Sequence, residues 1–116
     1  MSGSTDGVGP GAPHPTDELG RLRARIDELD RMIVRLLNER AGLAIEAGRL
    51  KAAAGRPEVR DAEREREVLL RVAMANEGPL PQADLVDLYR RLIDALVALE
   101  ERMQERLDAE NTPDPG

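Results

Sequence analysis

The sequence predicts an all-α fold in which each subunit has a long, a short and a long helix. Three observations support this prediction. Leucines recur every seven residues in the first half of the 116-residue chain, clusters of Gly and Pro separate three proline-free stretches, and Tyr89 is the only aromatic residue. A core built from Leu, Ile, Val, Ala and Met suits the packing of helix against helix.

The first predicted helix runs from Asp17 to Ala54. Thr16 is its predicted N-cap, and Gly55 with Pro57 is expected to end it. The d positions of its heptad are all leucines: Leu22, Leu29, Leu36, Leu43 and Leu50. The a positions follow four residues after each leucine: Ile26, Ile33, Arg40, Ala47 and Ala54.

The length of this helix predicts a homodimer. About 38 residues at 1.5 Å each make a rod of about 57 Å. A compact monomer of this size has a radius of gyration of only about 13–14 Å. The remaining chain cannot cover such a rod, so a second copy is expected to cover it.

Two further helices are predicted after the breaker segment at 55–60. Asp61 is a suitable N-cap for the second helix, which is expected to run to about Ala75. A second breaker cluster occupies 76–81, and a third helix is expected to start near Gln82. The third helix has one apolar face: Leu85, Leu88, Tyr89, Leu92, Leu96, Leu99 and Met103.

The two ends of the chain are predicted to lie outside the fold. Residues 1–16 form a tail rich in Gly, Pro and Ser that we expect to be disordered, and residues 111–116 form a flexible C-terminal tail. The folded domain is therefore predicted at 17–110. His14, the only histidine, lies in the first tail, where it cannot hold a fixed geometry.

Composition excludes several classes of protein. The net charge of −6, from 17 basic and 23 acidic residues, argues against nucleic acid or an anionic membrane as the main partner but leaves a small anionic ligand open. The chain has no cysteine, so disulfides and thiolate metal sites are excluded. No membrane-spanning run and no signal sequence is visible, so a cytoplasmic location is expected.

The residues available for chemistry are restricted. Between Asp17 and Asn111 there is no Ser, Thr, Cys or His. A Ser or Cys nucleophile with a His base is therefore excluded from the folded part, as is a histidine-based metal site. Arg, Lys, Asp, Glu and one Tyr remain, a set that can bind an anion and stabilise developing charge without a covalent intermediate. A binding protein without a reaction is the alternative.

Arg40 is the first candidate binding residue, because a guanidinium within an apolar seam requires an anion. Arg40 and Lys51 are 11 residues apart, so they share a helix face with their Cα atoms about 16 Å apart. Both could instead be structural. Arg40 could pair with a carboxylate of the protein or fix the register of the helices, and Lys51 could be a solvated lysine at a helix end.

The candidates that follow Lys51 in the chain also have ordinary structural explanations. Asp61 could serve simply as a helix cap, and Arg64 and Glu65 could be surface charges on the second helix. Glu100 follows Leu99 of the apolar face, so its side chain could point into the bundle or into solvent. From spacing alone these alternatives stay open.

Two segments carry a resemblance to a known family. They are LRARIDELDRMIVRLLNERAGLAIEAGRLKAAAGRPEVRDAEREREVL and LYRRLIDALVALE, and together they resemble the all-helical (AroQ-class) chorismate mutases over about residues 17–107. The resemblance implies an intertwined homodimer of three-helix subunits with two equivalent sites. It also implies conversion of chorismate to prephenate, a Claisen rearrangement at the branch towards phenylalanine and tyrosine, with neither cofactor nor metal.

The resemblance also implies roles for individual residues. Arg40 and the partner's Arg23 would bind the carboxylates of chorismate, and Lys51 and Glu100 would donate hydrogen bonds to its ether oxygen. The motif D-x-x-R-E places the remaining residues: Glu65 and the backbone near Asp61 would hold the ring hydroxyl, and Arg64 would order that corner. The chain departs from the family at Leu96, where a small hydroxyl residue often assists a substrate carboxylate.

Simple helix geometry agrees with a site shared between subunits. Arg23 is about 25 Å from Arg40 and about 42 Å from Lys51 along one helix, so it cannot join both in a compact site of its own chain. In an antiparallel dimer the partner's Arg23 can reach the distant end.

Two alternative functions belong to other classes. One is a related lyase that removes pyruvate from isochorismate on the same fold. The other is a non-catalytic helical dimer that regulates another enzyme of the shikimate pathway. The D-x-x-R-E motif and Glu100 favour the mutase over the lyase.

Overall fold

The computed structural model describes residues 14–56 and 58–111, and within them every regular element is helical. The helices are α1 (Pro15–Ala53), α2 (Ala62–Ala75) and α3 (Gln82–Asn111). The predicted order of long, short and long helix is therefore confirmed. None of these helices is long and apolar enough to cross a membrane.

The start of α1 differs from the prediction. Pro15 is its first residue, where a fixed φ suits the helix and a missing N–H leaves no donor unsatisfied. The carbonyl of His14 accepts hydrogen bonds from the backbone N–H groups of Asp17 and Glu18 at 2.9 and 3.1 Å. The prediction of Thr16 as N-cap is therefore wrong, because Thr16 lies inside the helix and His14 precedes it.

The predicted tails lie largely outside the described residues, which exclude 1–13 and 112–116. At their inner edges the helices extend further than expected. Pro15 and Thr16 belong to α1, and Asn111 is the last residue of α3.

Gly55 ends α1 in the predicted place. Its φ is +78°, a left-handed conformation that costs a side chain free energy and costs glycine nothing. Its N–H donates to the carbonyl of Ala52 at 3.0 Å, and the N–H of Arg56 donates to the carbonyl of Lys51 at 2.8 Å. These two bonds are the Schellman motif, which satisfies carbonyls left unpaired at a helix end.

Gly55→Ala is expected to lower the free energy of unfolding by about 1 kcal/mol, because alanine must adopt the left-handed conformation. Chemical denaturation of the purified protein measures this change. The matched control is Gly20→Ala, in the interior of α1 with no atom within 4 Å of the added Cβ. That control is expected to be neutral or stabilising by up to about 1 kcal/mol. Equal destabilisation by both changes would contradict the role of Gly55.

The chain divides into two units, residues 1–39 and 40–116. The described part of the first unit is the helical segment 14–39, which has no buried residue. Its apolar side chains are exposed, with Leu22 at 63% and Ile33 at 52%. The heptad seam in this unit therefore has no packing partner within residues 14–39, the part of the unit that the structure describes.

The second unit contains the core. In it α2 packs against α3, and the buried residues among those described are Ile93 and Leu96 of α3, 7% and 8% exposed. Residues 40–53 of α1 belong to the same unit, but their Cα atoms do not approach those of α2 or α3 within 8 Å. The space left between these elements is a cavity.

Candidate active site

A cavity of about 570 Å³ lies in the second unit, between the end of α1, the start of α2 and the middle of α3. Its volume is within the range that accommodates small-molecule ligands. Six charged residues line it: Arg40, Lys51, Asp61, Arg64, Glu65 and Glu100. The structure thus brings together every predicted site residue except Arg23. Arg23 lies in the first unit, so its contribution from a partner subunit stays a prediction.

The floor of the cavity is a strip of small residues on α1. Ala44, Ala47 and Gly48 lie between Arg40 and Lys51 along the helix face and all line the cavity. An added Cβ at Gly48 would meet no atom within 4 Å, so the absence of a side chain leaves open space. These small side chains leave room between the two cations.

Arg40 is half-buried, and its guanidinium lies over the ring of Tyr89, with 5.8 Å between the carbon Cζ and the ring centroid. A cation over an aromatic face is attracted to it and held in place. The guanidinium takes part in none of the ion pairs found between described residues. Arg40 therefore makes no direct ion pair with a carboxylate among the described residues, although it interacts electrostatically with Glu100.

Tyr89 supports the site, a role that the sequence pattern did not indicate. It was predicted only as part of the apolar face of the third helix. The sequence offered one sign of this role, since Tyr89 is the single aromatic residue in the chain.

Lys51 is held by the loop that follows α1. Its Nζ donates to the carbonyl oxygens of Glu58 at 3.2 Å and Val59 at 3.4 Å. An ammonium group has three N–H donors, so two bonds to the loop leave one donor for a ligand. The alternative of a freely solvated helix-end lysine does not fit this geometry.

Glu100 is half-buried in the cavity wall, and burial raises the pKa of its carboxyl above the usual 4.5, although the nearby Lys51 and Arg40 act in the opposite direction. Removal from water disfavours the charged form of a carboxyl group. Glu100 therefore takes up a proton more readily than a surface glutamate, and a protonated carboxyl can donate a hydrogen bond. Spacing left two orientations of Glu100 open, and its place in the cavity lining agrees with the inward one.

The D-x-x-R-E motif forms the corner where the loop enters α2. Asp61 is the N-cap of α2, and its Oδ1 accepts from the backbone N–H of Arg64 at 3.0 Å. The guanidinium of Arg64 donates to Glu67 at 2.6 Å. Asp61 is therefore the cap of α2, and it also lines the cavity.

Glu65 is fixed by a residue that the sequence pattern did not single out. The Nε of Arg60 donates to Oε2 of Glu65 at 2.8 Å, and Nη2 of Arg60 donates to Oδ1 of Asp94 at 2.5 Å. These two hydrogen bonds raise the pKa of the Arg60 guanidinium above its ordinary value. No sequence pattern marks this link, because Arg60 and Asp94 are 34 residues apart.

The wall contributed by α3 is apolar at the position where the family often has a hydroxyl group. Leu96 lines the cavity and is 8% exposed. A leucine side chain offers no hydrogen bond, so the charged side chains available in this unit to an anionic group are the cations on α1 and α2 that line the cavity. A smaller cavity of about 210 Å³ adjoins this one and shares Lys51 and Glu100 with it. Within residues 14–56 and 58–111, no group of three or more acidic or histidine side chains is arranged to hold a metal ion.

Comparison with known proteins identifies relatives of this chain. The bifunctional chorismate mutase/prephenate dehydratase of Aquifex aeolicus (strain VF5) is 41% identical over 92 residues, which are 76% of this chain and 25% of that protein. The enzyme of the same description from Stutzerimonas stutzeri is 38% identical over 93 residues, with the same coverage of both chains. This chain therefore spans about a quarter of the length of these bifunctional relatives.

A solved structure shows the same architecture. Chorismate mutase (form II) from Thermus thermophilus superposes with a TM-score of 0.69 at 36% identity, covering 73% of this chain and 96% of that one. Residues 22–101 match the family described as chorismate mutase type II. This match includes all seven predicted site residues, from Arg23 to Glu100, and the chain belongs to the type II chorismate mutase family.

Proposed function

We propose that this protein is a chorismate mutase, which converts chorismate to prephenate at the branch of aromatic amino-acid biosynthesis towards phenylalanine and tyrosine. The observation that carries this proposal is the cavity in which Arg40 and Lys51 face Glu100. Two cations and one protonatable acid match a dianion with an ether oxygen that gains negative charge. The cytoplasm remains the expected location.

The reaction suits a site without a nucleophile. Chorismate rearranges within one molecule, breaking its ether C–O bond as a new C–C bond forms, so no proton transfer is required. Catalysis then comes from holding the compact reactive conformer and from stabilising charge on the ether oxygen. The part of the chain between Asp17 and Asn111 offers the charged groups for both tasks and no Ser, Cys or His.

The cations and Glu100 divide these tasks. Arg40, held over Tyr89, binds one carboxylate of the substrate. Lys51 donates its remaining N–H to the ether oxygen, and protonated Glu100 donates a second hydrogen bond to the same atom. Lys51 is held by the loop carbonyls before the substrate binds, so it need not reorganise as charge develops.

The start of α2 binds the other end of the substrate. Glu65 accepts a hydrogen bond from the ring hydroxyl through the carboxylate, one oxygen of which is already held by Arg60. The backbone near Asp61 supports the same hydroxyl, and Arg64 orders this corner. Leu96 packs against the substrate without a polar contact.

The functional unit is proposed to be an intertwined homodimer. The apolar side chains on α1 support this proposal, since Leu22, Leu43 and Leu50 are 63%, 72% and 65% exposed in the single chain. Exposed apolar surface of this extent is typical of a subunit interface. In a symmetric dimer each subunit gives and receives the same residues, so each cavity gains Arg23 of the partner subunit as its second carboxylate-binding cation.

Mixing two inactive variants is expected to restore activity if Arg23 acts across the interface. Arg23→Ala and Lys51→Ala homodimers each lack one residue in both sites. A mixed dimer has one site with both native residues and one site with neither, so refolding an equal mixture should restore about a quarter of wild-type activity. Chorismate consumption before and after refolding the mixture measures this. No gain over the separate variants would show that Arg23 does not act from the partner.

The test of the proposed function is the loss of chorismate absorbance in the ultraviolet, with identification of the product. Formation of prephenate is the expected result. The same assay with isochorismate tests the lyase alternative, which predicts release of pyruvate. A protein that turns over neither substrate would favour a non-catalytic helical dimer, and co-purification with another shikimate-pathway enzyme would support that alternative.

A further inference from the structure

Arg60 joins three parts of the second unit. It lies in the loop between α1 and α2, and its guanidinium donates to Glu65 of α2 at 2.8 Å and to Asp94 of α3 at 2.5 Å. A guanidinium presents several donors in a rigid plane, so it can hold two carboxylates in fixed directions at once. The loop, the start of α2 and the middle of α3 are therefore tied together by one side chain.

The same loop orients Lys51. The two carbonyl oxygens that accept from its Nζ belong to Glu58 and Val59, the residues directly before Arg60. Any movement of the Arg60 backbone therefore moves the acceptors that direct the ammonium group. The direction of the remaining N–H of Lys51 depends on the loop as much as on α1.

Arg60 itself is outside the large cavity. It is absent from the residues that line it, and its side chain is 51% exposed. Its two partners differ in position, since Glu65 lines the cavity with 25% exposure whereas Asp94 is a surface residue with 66% exposure. Arg60 is thus placed to act on the site only through other residues.

We propose that Arg60 is a positioning residue for the rearrangement. Through the loop it sets the direction of the Lys51 ammonium group, and through its Nε it sets the carboxylate of Glu65. This inference rests on the proposed function, because Lys51 and Glu65 take their roles from it. It adds a residue that does not touch the substrate but on which turnover depends.

Arg60→Gln is expected to lower kcat by about tenfold, because a small misplacement of catalytic groups is costly even when they remain present. The matched control is Arg90→Gln, which removes another exposed arginine of the same unit, paired with Asp87 at 3.1 Å. The control should keep wild-type kcat and KM. Equal kinetics for the two variants would overturn the proposal.

Two additional variants separate positioning from general stability. Asp94→Asn weakens the α3 end of the link, because its amide oxygen accepts from Arg60 without a negative charge, and it is expected to lower kcat in the same direction by about threefold, since the tie to Glu65 remains. In a double-mutant cycle, Arg60→Gln should cost less in the Glu65→Gln background than in the wild type. A merely structural role predicts additive effects, and additive effects would therefore refute the coupling. Asp94→Asn also serves if Arg60→Gln fails to fold.

Hydrogen exchange of the 55–65 backbone, followed by mass spectrometry, tests the loop without any substrate. Faster exchange in Arg60→Gln than in Arg90→Gln is expected, because the loop loses its ties to α2 and α3. Unchanged exchange would overturn the proposal even if kcat falls. If the wild-type protein proves inactive on chorismate, the proposed function fails, while this measurement still decides whether Arg60 fixes the loop.

Discussion

Lys51→Ala is expected to lower turnover of chorismate by about a hundredfold or more while the protein stays folded. The change removes a donor that the loop carbonyls of Glu58 and Val59 hold in place at 3.2 and 3.4 Å. Loss of one preorganised donor to a developing negative charge typically raises the barrier by about 2.7–4 kcal/mol. Because the donor acts mainly in the transition state, kcat should fall more than KM rises.

The measurement is steady-state kinetics of chorismate loss, with a circular dichroism spectrum to check folding. Arg90→Ala is the control, since Arg90 is an exposed cation outside the cavity with an ion pair to Asp87. Lys51 is the only lysine in the chain, so an amine-selective reagent provides a second test. Substrate should slow inactivation by such a reagent. A Lys51→Ala protein with near-normal turnover would contradict the assignment.

The helices could be predicted from the sequence because their signals are local. The heptad leucines, the cap at Asp61 and the glycine at 55 act within one or two turns of chain, and the helix ends follow from them. The wrong prediction of Thr16 as the N-cap of α1 also came from local signals. Thr16 and Pro15 both suit a helix start, and proline as the first helical residue displaced the cap to His14.

The packing could be predicted only in part. Leu88 was assigned to the apolar face of the third helix, yet it is 56% exposed, whereas Leu96 on the same face is 8% exposed. Periodicity identifies a face but not which part of it meets another element. That depends on where α2 crosses α3, which no local pattern encodes.

The candidate site, like the fold, could be predicted from the sequence only in part. Spacing along one helix placed Arg40 and Lys51 on a common face, and the family resemblance supplied Asp61, Arg64, Glu65 and Glu100, all of which line the cavity. Tyr89 beneath Arg40 and the tie from Arg60 to Asp94 were not predicted. Both are contacts between residues far apart in sequence, made by side chains that also occur on ordinary helix surfaces.

Activity is expected to fall as pH rises through the pKa of Glu100, and Glu100→Gln should remove this fall. Burial raises the pKa of Glu100 above 4.5, against the opposing effect of Lys51 and Arg40. The protonated carboxyl is the form that donates to the ether oxygen, so the active form dominates below the raised pKa and is lost above it. A bound dianion disfavours the carboxylate further, so the fall should come at higher pH in kcat than in kcat/KM.

The stability of the fold should also fall as pH rises through the pKa of Glu100. A carboxyl whose pKa is higher in the folded than in the unfolded state contributes stability at low pH that is lost as pH rises through the folded-state pKa. Glutamine keeps a donor at every pH, so Glu100→Gln should flatten both the activity profile and this part of the stability profile.

The experiment is kcat and kcat/KM from about pH 5 to 9 at constant ionic strength, for the wild type, Glu100→Gln and the control Glu101→Gln. Glu101 is the exposed neighbour of Glu100 on α3, so its change alters net charge equally without touching the cavity. The control should retain the wild-type profile. Identical profiles for the wild type and Glu100→Gln would rule out Glu100 as a proton-dependent donor and leave Lys51 as the proposed donor to the ether oxygen.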